Sequence, residues 1–566
     1  MNTEQKIEDI KVIQEHEKYK VEFISMTHDG RGVCKVSGIA VDGRELENYP
    51  IFVDKAIVGE AGIIEITQMK KSYGLGEIVR IFSDKKSPNR VTPICPIYGE
   101  CGGCQLMHLS YEGQLKFKKS MVKETMKKIG GFEDIRVKDV LGMEDPTKYR
   151  NKVQVPFGDL RGKTISGFYK LNTHEIIPLT ECSIQTEEMT EIVKFIRNLC
   201  NEYHIRGYNE KINKGDIRHV LIRESIKTGE IMVILICTKD SYPNLEDLCN
   251  KLVKRHPRIV SVMMNVNKYQ TNTILGNYFK VLYGRNYIID ELCGLKFKIG
   301  CRSFYQVNSY QTEQLYNKVI EVGKFKDTDT VIDAYCGIGT IGSIIAKKVK
   351  HVYGVEIIEE AIQNAYDNAK LNELDNIEFV CAKAEDQIKE WAQLGIHADA
   401  IVVDPPRKGC EGDFLKTVVE MNIPKIVYVS CDVSTLARDM KYLVENGYKP
   451  GPVQPVDMFP QTVHVETVTL LQRKDIDDRL KVRFDLDNVP LVKEETKATY
   501  QEIKDYIFNK YNVKVSTLNI AQTKTKYGII ERECYNKPKD DDSRQPKCTR
   551  EKEEMIVDAL KHFKML

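Results

Sequence analysis

The stretch Val331-Ile-Asp333-Ala-Tyr-Cys-Gly337-Ile-Gly339-Thr340 decides the fold of the second half of this chain. Its first residues are β-branched and end at Asp333, and a loop with two glycines then leads into a helix predicted from 340. Glycines let the backbone come close to a ligand, and a helix amino terminus presents free N–H groups to it. The stretch therefore predicts a strand, a ligand-binding loop and a helix, which together are one unit of a parallel α/β sheet.

The residues on both sides repeat this unit. Glu356 ends the next predicted strand, about 20 residues further on, where a carboxylate can accept hydrogen bonds from both hydroxyls of a ribose. The third glycine of a dinucleotide loop is absent, and an Asp404-Pro-Pro-Arg turn follows downstream. The pattern therefore favours an S-adenosylmethionine site over an NAD site in a doubly wound, Rossmann-like domain. We predict this domain over 297–473, with a helix at 309–322 and further strands at 351–355, 377–380, 400–403, 426–430 and 467–471.

Three further parts are predicted outside this domain. Short alternating strands separated by glycines over 19–81 indicate a small β-barrel, whose basic and aromatic loops suit single-stranded nucleic acid as well as they suit solvent. Residues 95–290 read as a central α+β domain. Beyond a charged linker near 473–497, residues 490–566 are predicted to form a small helical extension. The helices predicted in these parts cover 110–129, 186–206, 499–510, 516–525 and 550–563.

The composition is that of an ordinary folded protein with several domains. The chain has 566 residues, of which 42% are apolar and 29% are charged, and this length exceeds what one hydrophobic core supports. With a net charge of +2, any nucleic-acid surface must be a local patch. No leader is evident and no window approaches the ~18 apolar residues of a membrane span. We therefore expect a cytoplasmic monomer without a membrane partner.

Three residues at predicted strand ends suggest covalent chemistry. Cys431 follows the strand 426–430, Glu466 precedes the strand 467–471, and Asp404 opens an Asp-Pro-Pro-Arg turn. Open α/β sheets bind their ligands at the carboxyl ends of their strands. A thiol nucleophile and a carboxylate base beside a cofactor suit an electrophilic ring such as a pyrimidine. Each feature also has an ordinary structural interpretation. Cys431 could be a core cysteine, the Asp404 motif an ordinary proline turn, and Glu466 a surface glutamate.

A cluster of cysteines predicts a metal centre. Cys95-Pro-x4-Cys101-Gly-Gly-Cys104 places three thiols within ten residues, and Cys182 offers a fourth. The chain holds sixteen cysteines, which suit metal ligands, nucleophiles or core positions better than disulfides in a cytosolic protein. Four thiolates fit either tetrahedral zinc or a [4Fe–4S] cluster. The close triplet with a distant fourth thiol favours iron–sulfur and leaves zinc open.

Taken together, these motifs resemble the bacterial 23S rRNA uracil-5 methyltransferases, which use S-adenosylmethionine. The resemblance covers about 19–473 and implies an RNA-binding TRAM barrel at 19–81. It also implies that Cys95, Cys101, Cys104 and Cys182 bind a [4Fe–4S] cluster. The five motifs that carry it, in the family's order, are Ser303-Phe304-Tyr305-Gln306-Val307-Asn308, Asp333-x2-Cys-Gly-Ile-Gly, Asp404-Pro-Pro-Arg, Tyr428-Val-Ser-Cys431 and His464-Val-Glu466.

The resemblance implies a role for each site residue. Cys431 would attack C6 of a uracil in large-subunit ribosomal RNA, and Glu466 would remove the C5 proton after methyl transfer, which gives 5-methyluridine. The target base would have to leave the stack. The residues implied to contact S-adenosylmethionine are Gln306, Tyr335, Gly337, Gly339, Thr340, Glu356 and Asp404, and those implied to contact RNA are Phe304, Arg150 and Lys152.

Departures from the family pattern keep alternatives open. Many members have Asn-Pro after the nucleophile, whereas this chain has Asp432, whose charge is expected to raise the pKa of Cys431. The extension 490–566 lies outside the usual architecture and is expected either to bind a further nucleic-acid or protein partner or to be a structural cap. The alternatives for the whole protein are the same reaction on tRNA and an inactive iron–sulfur protein that binds RNA.

Overall fold

Three large β-sheets and one hairpin follow one another along the first part of the chain. The computed structural model describes residues 12–178, 181–474, 498–527, 529, 548–563 and 565–566. The chain divides into two units, Met1–Arg479 and Leu480–Leu566. No helix within the described ranges has both the length and the apolar content needed to cross a membrane.

The first sheet consists of strands whose side chains alternate between core and solvent, as in Lys18–Glu22. Its buried side chains, among them Tyr19, Phe23 and Ile51, form one core. The strands are β1 Val12–Ile13, β2 Lys18–Glu22, β3 Ser25–Met26, β4 Gly32–Ala40, β5 Glu45–Val53, β6 Ala61–Met69 and β7 Gly74–Ile81. They pair in the open order β1-β4-β5-β7-β6-β2, with β3 on β4. The barrel that the sequence predicts here stays a prediction.

A long helix, α1 Tyr111–Gly130, connects the first sheet to the second. The Ser110 side chain caps its start and the left-handed Gly131 ends it. The second sheet has the order β10-β9-β8-β11-β12-β13-β14. The helices predicted near 110–129 and 186–206 are confirmed as α1 and α2. Its elements are β8 Lys152–Leu160, β9 Lys163–Tyr169, β10 Ile176–Pro178, α2 Glu187–Glu202, β11 Ile217–Glu224, β12 Ile231–Cys237, α3 Leu245–Arg255, β13 Ile259–Val266 and β14 Tyr278–Gly284.

A hairpin, β15 Tyr287–Leu292 and β16 Leu295–Gly300, and the helix α4 Ser309–Gly323 lead into the third large sheet. Its strands are β17 Thr330–Ala334, β18 His351–Glu356, β19 Ile377–Cys381, β20 Ala400–Val403, β21 Lys425–Ser430, β22 Tyr448–Pro450, β23 Gln454–Val456 and β24 Glu466–Arg473. Its helices are α5 Thr340–Ala346, α6 Glu359–Leu371, α7 Ala384–Gln393, α8 Gly412–Glu420 and α9 Val433–Glu445. Strand and helix alternate as the sequence predicts.

The order of this sheet fixes where a ligand can bind. The strands lie in the order β19-β18-β17-β20-β21-β24-β22, and β23 pairs with β24. β17 to β21 are parallel, whereas β24 runs antiparallel to β21. Because the chain moves from β17 to β18 on one side and later to β20 on the other, the carboxyl end of β17 is a topological switch point. The predicted parallel α/β domain is confirmed, and its binding edge is defined.

The second unit contains three helices in its described part, α10 Tyr500–Tyr511, α11 Thr517–Lys526 and α12 Arg550–His562. Thr499 and Ser516 each form a capping box at a helix start. Ile503, Ile520 and Ile556 meet in a small core. The helices predicted for the extension are confirmed, whereas residues 475–497 of the predicted linker lie outside the described residues.

One short segment, 457–461, joins distant parts of the first unit. The Asp457 carboxylate forms a fully buried ion pair with Lys118 of α1 and accepts a hydrogen bond from the Tyr111 hydroxyl at 2.9 Å. The side-chain amides of Gln114 and Gln461 are 2.9 Å apart, and the Gln114 oxygen also accepts from the Gln461 backbone N–H at 2.9 Å. These contacts fix α1 against the segment that leads to β24.

The same segment also receives the loop of the predicted metal centre. The backbone N–H groups of Gln105 and Leu106 both donate to the Gln461 carbonyl, at 3.0 and 2.9 Å. The Tyr149 hydroxyl donates to the Pro460 carbonyl at 3.0 Å. The segment therefore holds together parts of the chain that lie more than 300 residues apart in sequence.

We expect Lys118→Met to lower the free energy of unfolding of the first unit by about 3–5 kcal/mol, because it leaves the Asp457 carboxylate buried without its cation. Denaturant unfolding measures this effect. Lys119→Met is the matched control, since Lys119 pairs with Asp139 at the surface and its loss should cost about 0–1 kcal/mol. Equal losses for the two variants would show that the buried pair does not hold this region.

Candidate active site

One large cavity opens at the carboxyl edge of the parallel sheet. It has a volume of about 1070 Å³ and lies where the loops after β17, β18, β20 and β21 meet. The structure therefore brings most of the predicted site residues together in one place. Those that line the cavity are Phe304, Gln306, Tyr335, Gly337, Thr340, Glu356, Asp404, Cys431 and Glu466.

The loop after β17 turns sharply because several of its residues adopt a positive φ. The values are 55° for Gly337, 76° for Gly339 and 65° for Tyr335, which lacks the conformational freedom of glycine. Gly339 lies behind the cavity wall at the start of α5, where an added Cβ would lie 2.8 Å from the ring of Phe379. Gly337 and Thr340, on either side of it, form the wall itself.

Two carboxylates hold this loop in place. Glu356 accepts hydrogen bonds from the backbone N–H groups of Gly337 at 3.3 Å and Ile358 at 3.0 Å. Asp333 is buried beneath the loop and accepts from the Gly342 N–H at 2.8 Å. Burial raises the pKa of Asp333 to about 7, and the hydrogen bond from Gly342 opposes this shift. Glu356 thus faces the cavity, whereas Asp333 ties β17 to α5.

Cys431 and Glu466 lie opposite each other on neighbouring strands. The antiparallel pairing of β21 with β24 ends at Ser430 and Thr467, so the next position belongs to Cys431, just after β21, and to Glu466, the first residue of β24. Glu466 is the first residue of β24 and only 3% exposed, so the surface-glutamate alternative is wrong. The Thr467 hydroxyl donates to the Ser430 carbonyl at 3.2 Å and reinforces this end of the pairing.

Burial and mutual repulsion set the charge states in the cavity. Burial raises the pKa of Glu466 to about 8, with Asp404 adding to the shift and Arg407 opposing it. Burial also raises the pKa of Asp404 to about 6. The pKa of Cys431 rises to about 12, and burial is the largest cause. The negative charges of Glu466, Asp404 and Asp432 add to the rise, whereas Arg407 opposes it. These effects favour the neutral thiol form of Cys431 at neutral pH.

Asp432, the departure noted in the sequence, has a structural role. Its carboxylate caps α9 and accepts hydrogen bonds from the backbone N–H groups of Ser434 at 2.8 Å and Thr435 at 3.3 Å. A helix amino terminus stabilises a negative charge. The expected rise in the pKa of Cys431 from Asp432 is confirmed in direction, but burial and Glu466 have larger effects.

Comparison with known proteins identifies the family. The family model of tRNA (uracil-5-)-methyltransferases matches residues 276–474. An RNA methyltransferase of Bacillus cereus is 46% identical over 461 residues, which are 81% of this chain and 98% of the relative. One from Clostridium tetani is 44% identical and covers 81% of this chain and 97% of its own length. The chain belongs to the RNA uracil-5 methyltransferase family.

A solved structure supports the same assignment for the fold and the cofactor. The tRNA (uracil-54, C5)-methyltransferase of Pyrococcus abyssi, solved with S-adenosyl-L-homocysteine, is 27% identical to this chain with a TM-score of 0.62. The match covers 80% of this chain and 99% of the Pyrococcus protein. This methyltransferase therefore has the Rossmann-like class I fold predicted for 297–473, and it uses S-adenosylmethionine to methylate RNA.

The cavity of this methyltransferase also contains residues to which the sequence analysis gave no role. Tyr316 of α4 lies 3.1 Å from the Thr340 hydroxyl, and the Tyr335 hydroxyl donates to Glu385 at 3.1 Å. Arg407 lines the wall near Cys431. Tyr316 and Glu385 come from helices without a motif, so no sequence signal marks them, whereas Arg407 stands in the quoted Asp-Pro-Pro-Arg turn.

The four cysteines of the predicted metal centre line a second, smaller cavity. Cys95, Cys101, Cys104 and Cys182 surround a space of about 230 Å³ next to the second sheet. Over the described ranges, no three His, Cys, Asp or Glu side chains are placed as ligands of one metal ion. The thiols thus share a cavity without converging on one point.

Arg150 and Lys152 lie at this thiol cavity and not at the cavity of Cys431. The Arg150 Nε–H is buried and has no hydrogen-bond partner. Between these residues, the Asn151 side chain donates to the Gln306 carbonyl at 2.8 Å. The run Arg150-Asn151-Lys152 therefore connects the two cavities, and its two cations face the thiols.

We expect Glu466→Gln to change the pH dependence of stability. A glutamate whose pKa rises from 4.5 to about 8 on folding stabilises the native state below pH 4.5 and loses that contribution as pH rises through 8. The free energy of unfolding of the wild type, relative to that of Glu466→Gln, should therefore fall as the pH rises from 4.5 to 8, by a few kcal/mol at most. Unfolding at pH 5 and pH 9 measures the difference.

The matched control is Glu420→Gln, because Glu420 is an exposed glutamate on α8. The difference in the free energy of unfolding between the Glu420→Gln variant and the wild type should be the same at pH 5 and pH 9. Parallel pH curves for the wild type and Glu466→Gln would show that Glu466 ionises normally in the folded protein.

Proposed function

We propose that this protein methylates C5 of a uridine in large-subunit ribosomal RNA through a covalent adduct on Cys431. The observation that carries the proposal is the opposite placement of Cys431 and Glu466 at the edge of the cavity that contains the cofactor loop. C5 of uracil is too weak a nucleophile to be methylated unless the ring is first activated covalently. A thiol on the cavity wall can activate the ring, and a base on the same wall can remove the C5 proton afterwards.

In the first step Cys431 loses its proton to solvent and its sulfur bonds to C6 of the uracil. The electron pair of the C5–C6 double bond moves toward C4 and its oxygen, which makes C5 nucleophilic. S-adenosylmethionine would supply a methyl group on a positively charged sulfur. As C5 bonds to this methyl group, the bond from the methyl group to that sulfur breaks and the neutral thioether, S-adenosylhomocysteine, leaves. Glu466 then accepts the C5 proton, the double bond forms again, and the bond from C6 to Cys431 breaks.

The electrostatics of Glu466 suit this role. A general base works best when its pKa lies near the working pH. Burial raises the pKa of Glu466 to about 8, so the carboxylate that is present near neutrality is a stronger base than an ordinary glutamate. Asp404, half-buried beside it, provides a negative charge toward the positively charged methyl donor.

The lining of the cavity supports an assignment of the cofactor contacts. We assign Gln306, Tyr335, Glu356 and Asp404 to S-adenosylmethionine, with the loop Gly337 to Thr340 beneath the methionine part and Glu356 at the ribose. Both Glu356 oxygens already accept backbone hydrogen bonds. This arrangement fixes the carboxylate before the ligand arrives, which lowers the ordering cost of binding.

Phe304 is the candidate for holding the target base outside the RNA stack. Its side chain is 68% exposed although it lines the cavity. An enzyme that modifies a ring atom must unstack its target base, and aromatic side chains can stack on such bases. Arg150 and Lys152, which face the thiol cavity, are not assigned to the flipped base.

Ribosomal RNA is favoured by the predicted TRAM barrel over 19–81 and by the four thiols, which the bacterial tRNA relatives generally lack. The second candidate is the same reaction on tRNA. Its support is the family model and the Pyrococcus structure, both of which are named for tRNA. Retention of both Cys431 and Glu466 favours either substrate over an inactive RNA-binding protein.

We further propose that the four thiols bind a [4Fe–4S] cluster. Such a cluster takes one thiolate on each iron, so its ligands surround a body and do not meet at one ion. The shared cavity of about 230 Å³ fits this geometry better than a single zinc ion does. The unpartnered Arg150 Nε–H at the cavity suits an anionic group there. When bound, the cluster would crosslink the loop of Cys95 to Cys182.

Covalent trapping tests the proposed reaction. A fluorine at C5 blocks the proton removal assigned to Glu466, so the wild type with S-adenosylmethionine should accumulate a methylated adduct on 5-fluorouridine-containing rRNA fragments. Cys431→Ala should form no adduct, whereas the control Cys381→Ala, which removes an exposed cysteine, should form it normally. Denaturing gels and mass spectrometry detect the adduct.

The outcomes of this trapping experiment distinguish an rRNA substrate, a tRNA substrate and the absence of covalent catalysis. The same trapping reaction is run with 5-fluorouridine-containing tRNA, where an adduct formed only on tRNA would keep the chemistry and correct the substrate. No adduct on either RNA, from folded and metal-loaded protein, would contradict the covalent mechanism.

Metal content tests the proposed cluster. Protein purified without oxygen should contain about four irons and four sulfides per chain. Cys101→Ser should lose most of both, and Cys381→Ser should keep them. Stoichiometric zinc, or the absence of any metal from folded wild type, would contradict the cluster. If Cys101→Ser folds and binds RNA normally but cannot transfer the methyl group, a purely structural role for the cluster is wrong.

A further inference from the structure

Arg407 occupies a position that the proposed mechanism does not yet use. It ends the turn Asp404-Pro-Pro-Arg407, which follows β20, the strand next to β21 and Cys431. The two prolines fix φ and stiffen this turn. The Arg407 side chain lines the same cavity as Cys431 and Glu466. A cation is therefore held by a rigid turn beside the thiol and the base.

Four lysine and arginine side chains line the cavity, and among the described residues two of them have an ion-pair partner, but Arg407 does not. Lys389 pairs with Asp413 at 3.0 Å, and Lys408 pairs with Glu411. Lys383 follows β19, which is the edge strand farthest from Cys431 among the parallel strands. In the part of the chain that the structure describes, no hydrogen bond or ion pair is found for the Arg407 guanidinium. Its charge is available to a ligand or a reaction intermediate.

The groups around the Cys431 sulfur are otherwise negative. Glu466, Asp404 and Asp432 all disfavour a thiolate there, and Arg407 is the one charge among these neighbours that favours it. Arg407 also favours the ionised form of Glu466. A cation within a few ångströms of a partly buried anion stabilises it far more than one in bulk water does.

We propose that Arg407 is the electrostatic partner of the sulfur and of the negative charge that develops on the uracil ring as Cys431 adds to C6. This inference rests on the proposed function, because it concerns the first step of that reaction. The step creates an anion in a cavity that already contains several carboxylates. Without a cation such as Arg407, both the thiolate and the adduct would form at a higher free energy.

A different role for an unpaired arginine is to bind an RNA phosphate. Guanidinium groups commonly bind phosphates through two hydrogen bonds. In that case Arg407 would affect RNA affinity and not the ionisation of Cys431. The electrostatic role in the reaction is favoured because Arg407 lines the cavity on the turn beside β21 and acts on the charge of both Cys431 and Glu466.

The test measures the reactivity of Cys431 in the full-length protein without RNA or cofactor. We would follow alkylation of Cys431 by iodoacetamide between pH 7 and 10, by mass spectrometry of its peptide, in wild type, Arg407→Gln and Arg407→Lys. At each pH below the thiol pKa, Arg407→Gln should react at least about threefold more slowly, which corresponds to a pKa raised by about half a unit. Arg407→Lys should recover most of the rate because it keeps the charge.

Lys416→Gln is the matched control, since it removes an exposed cation of α8 outside the cavity and should leave the alkylation rates unchanged. In methylation assays, Arg407→Gln should lower kcat by a larger factor than it raises KM for RNA. Arg407 is exposed, so circular dichroism and thermal midpoints should match the wild type.

Unchanged alkylation rates in folded Arg407→Gln, together with a raised KM for RNA, would overturn the proposal and assign Arg407 to a phosphate. Unchanged alkylation with normal kinetics would overturn it as well. Failure of the proposed function is recognised separately, because it would show as an absence of trapped adduct in the wild type, whereas the alkylation experiment uses no RNA.

Discussion

The buried ion pair between Lys118 and Asp457 is the interaction on which the arrangement of both cavities depends. Two charges are expensive to bury unless each is paired and hydrogen-bonded. Here the Tyr111 hydroxyl donates to Asp457, and the Lys118 ammonium donates to the Phe459 carbonyl. The pair fixes α1 to the segment 457–461, and that segment leads directly to Glu466. The position of the proposed base thus depends on a helix that lies more than 300 residues earlier in the sequence.

The same segment connects the thiol cavity to the reaction cavity. The backbone after Cys104 donates to the Gln461 carbonyl, and Tyr149 donates to Pro460. Asn151, between the two cations at the thiol cavity, donates to the carbonyl of Gln306. If a cluster crosslinks the thiols, it stiffens the loops that support Gln306 and Glu466. Such a cluster would act by holding these loops in place and would need no electron transfer.

The sequence predicts the features that local patterns carry. The strand ending at Asp333, the glycine loop and Cys431 after β21 are each specified by neighbouring residues, and the structure brings them to one edge. The burial of Glu466 could not be predicted, because it depends on the register between β21 and β24. Nor could the thiol-facing positions of Arg150 and Lys152, since their basic character alone suggested RNA. Contacts such as Gln114 with Gln461 leave no local pattern at all.

The charges of the reaction cavity serve two opposing needs. Asp404, Glu466 and Glu356 favour a positively charged methyl donor, but the first two also raise the pKa of Cys431 and so disfavour its thiolate. On the proposed function, the bound donor would itself reverse this balance, because its positive sulfur lowers the pKa of nearby acids. Cys431 would then become reactive only once the donor is in place, with Arg407 adding to the effect. A thiol that stays neutral until the donor binds would react slowly in unproductive addition and in oxidation, both of which proceed through the thiolate.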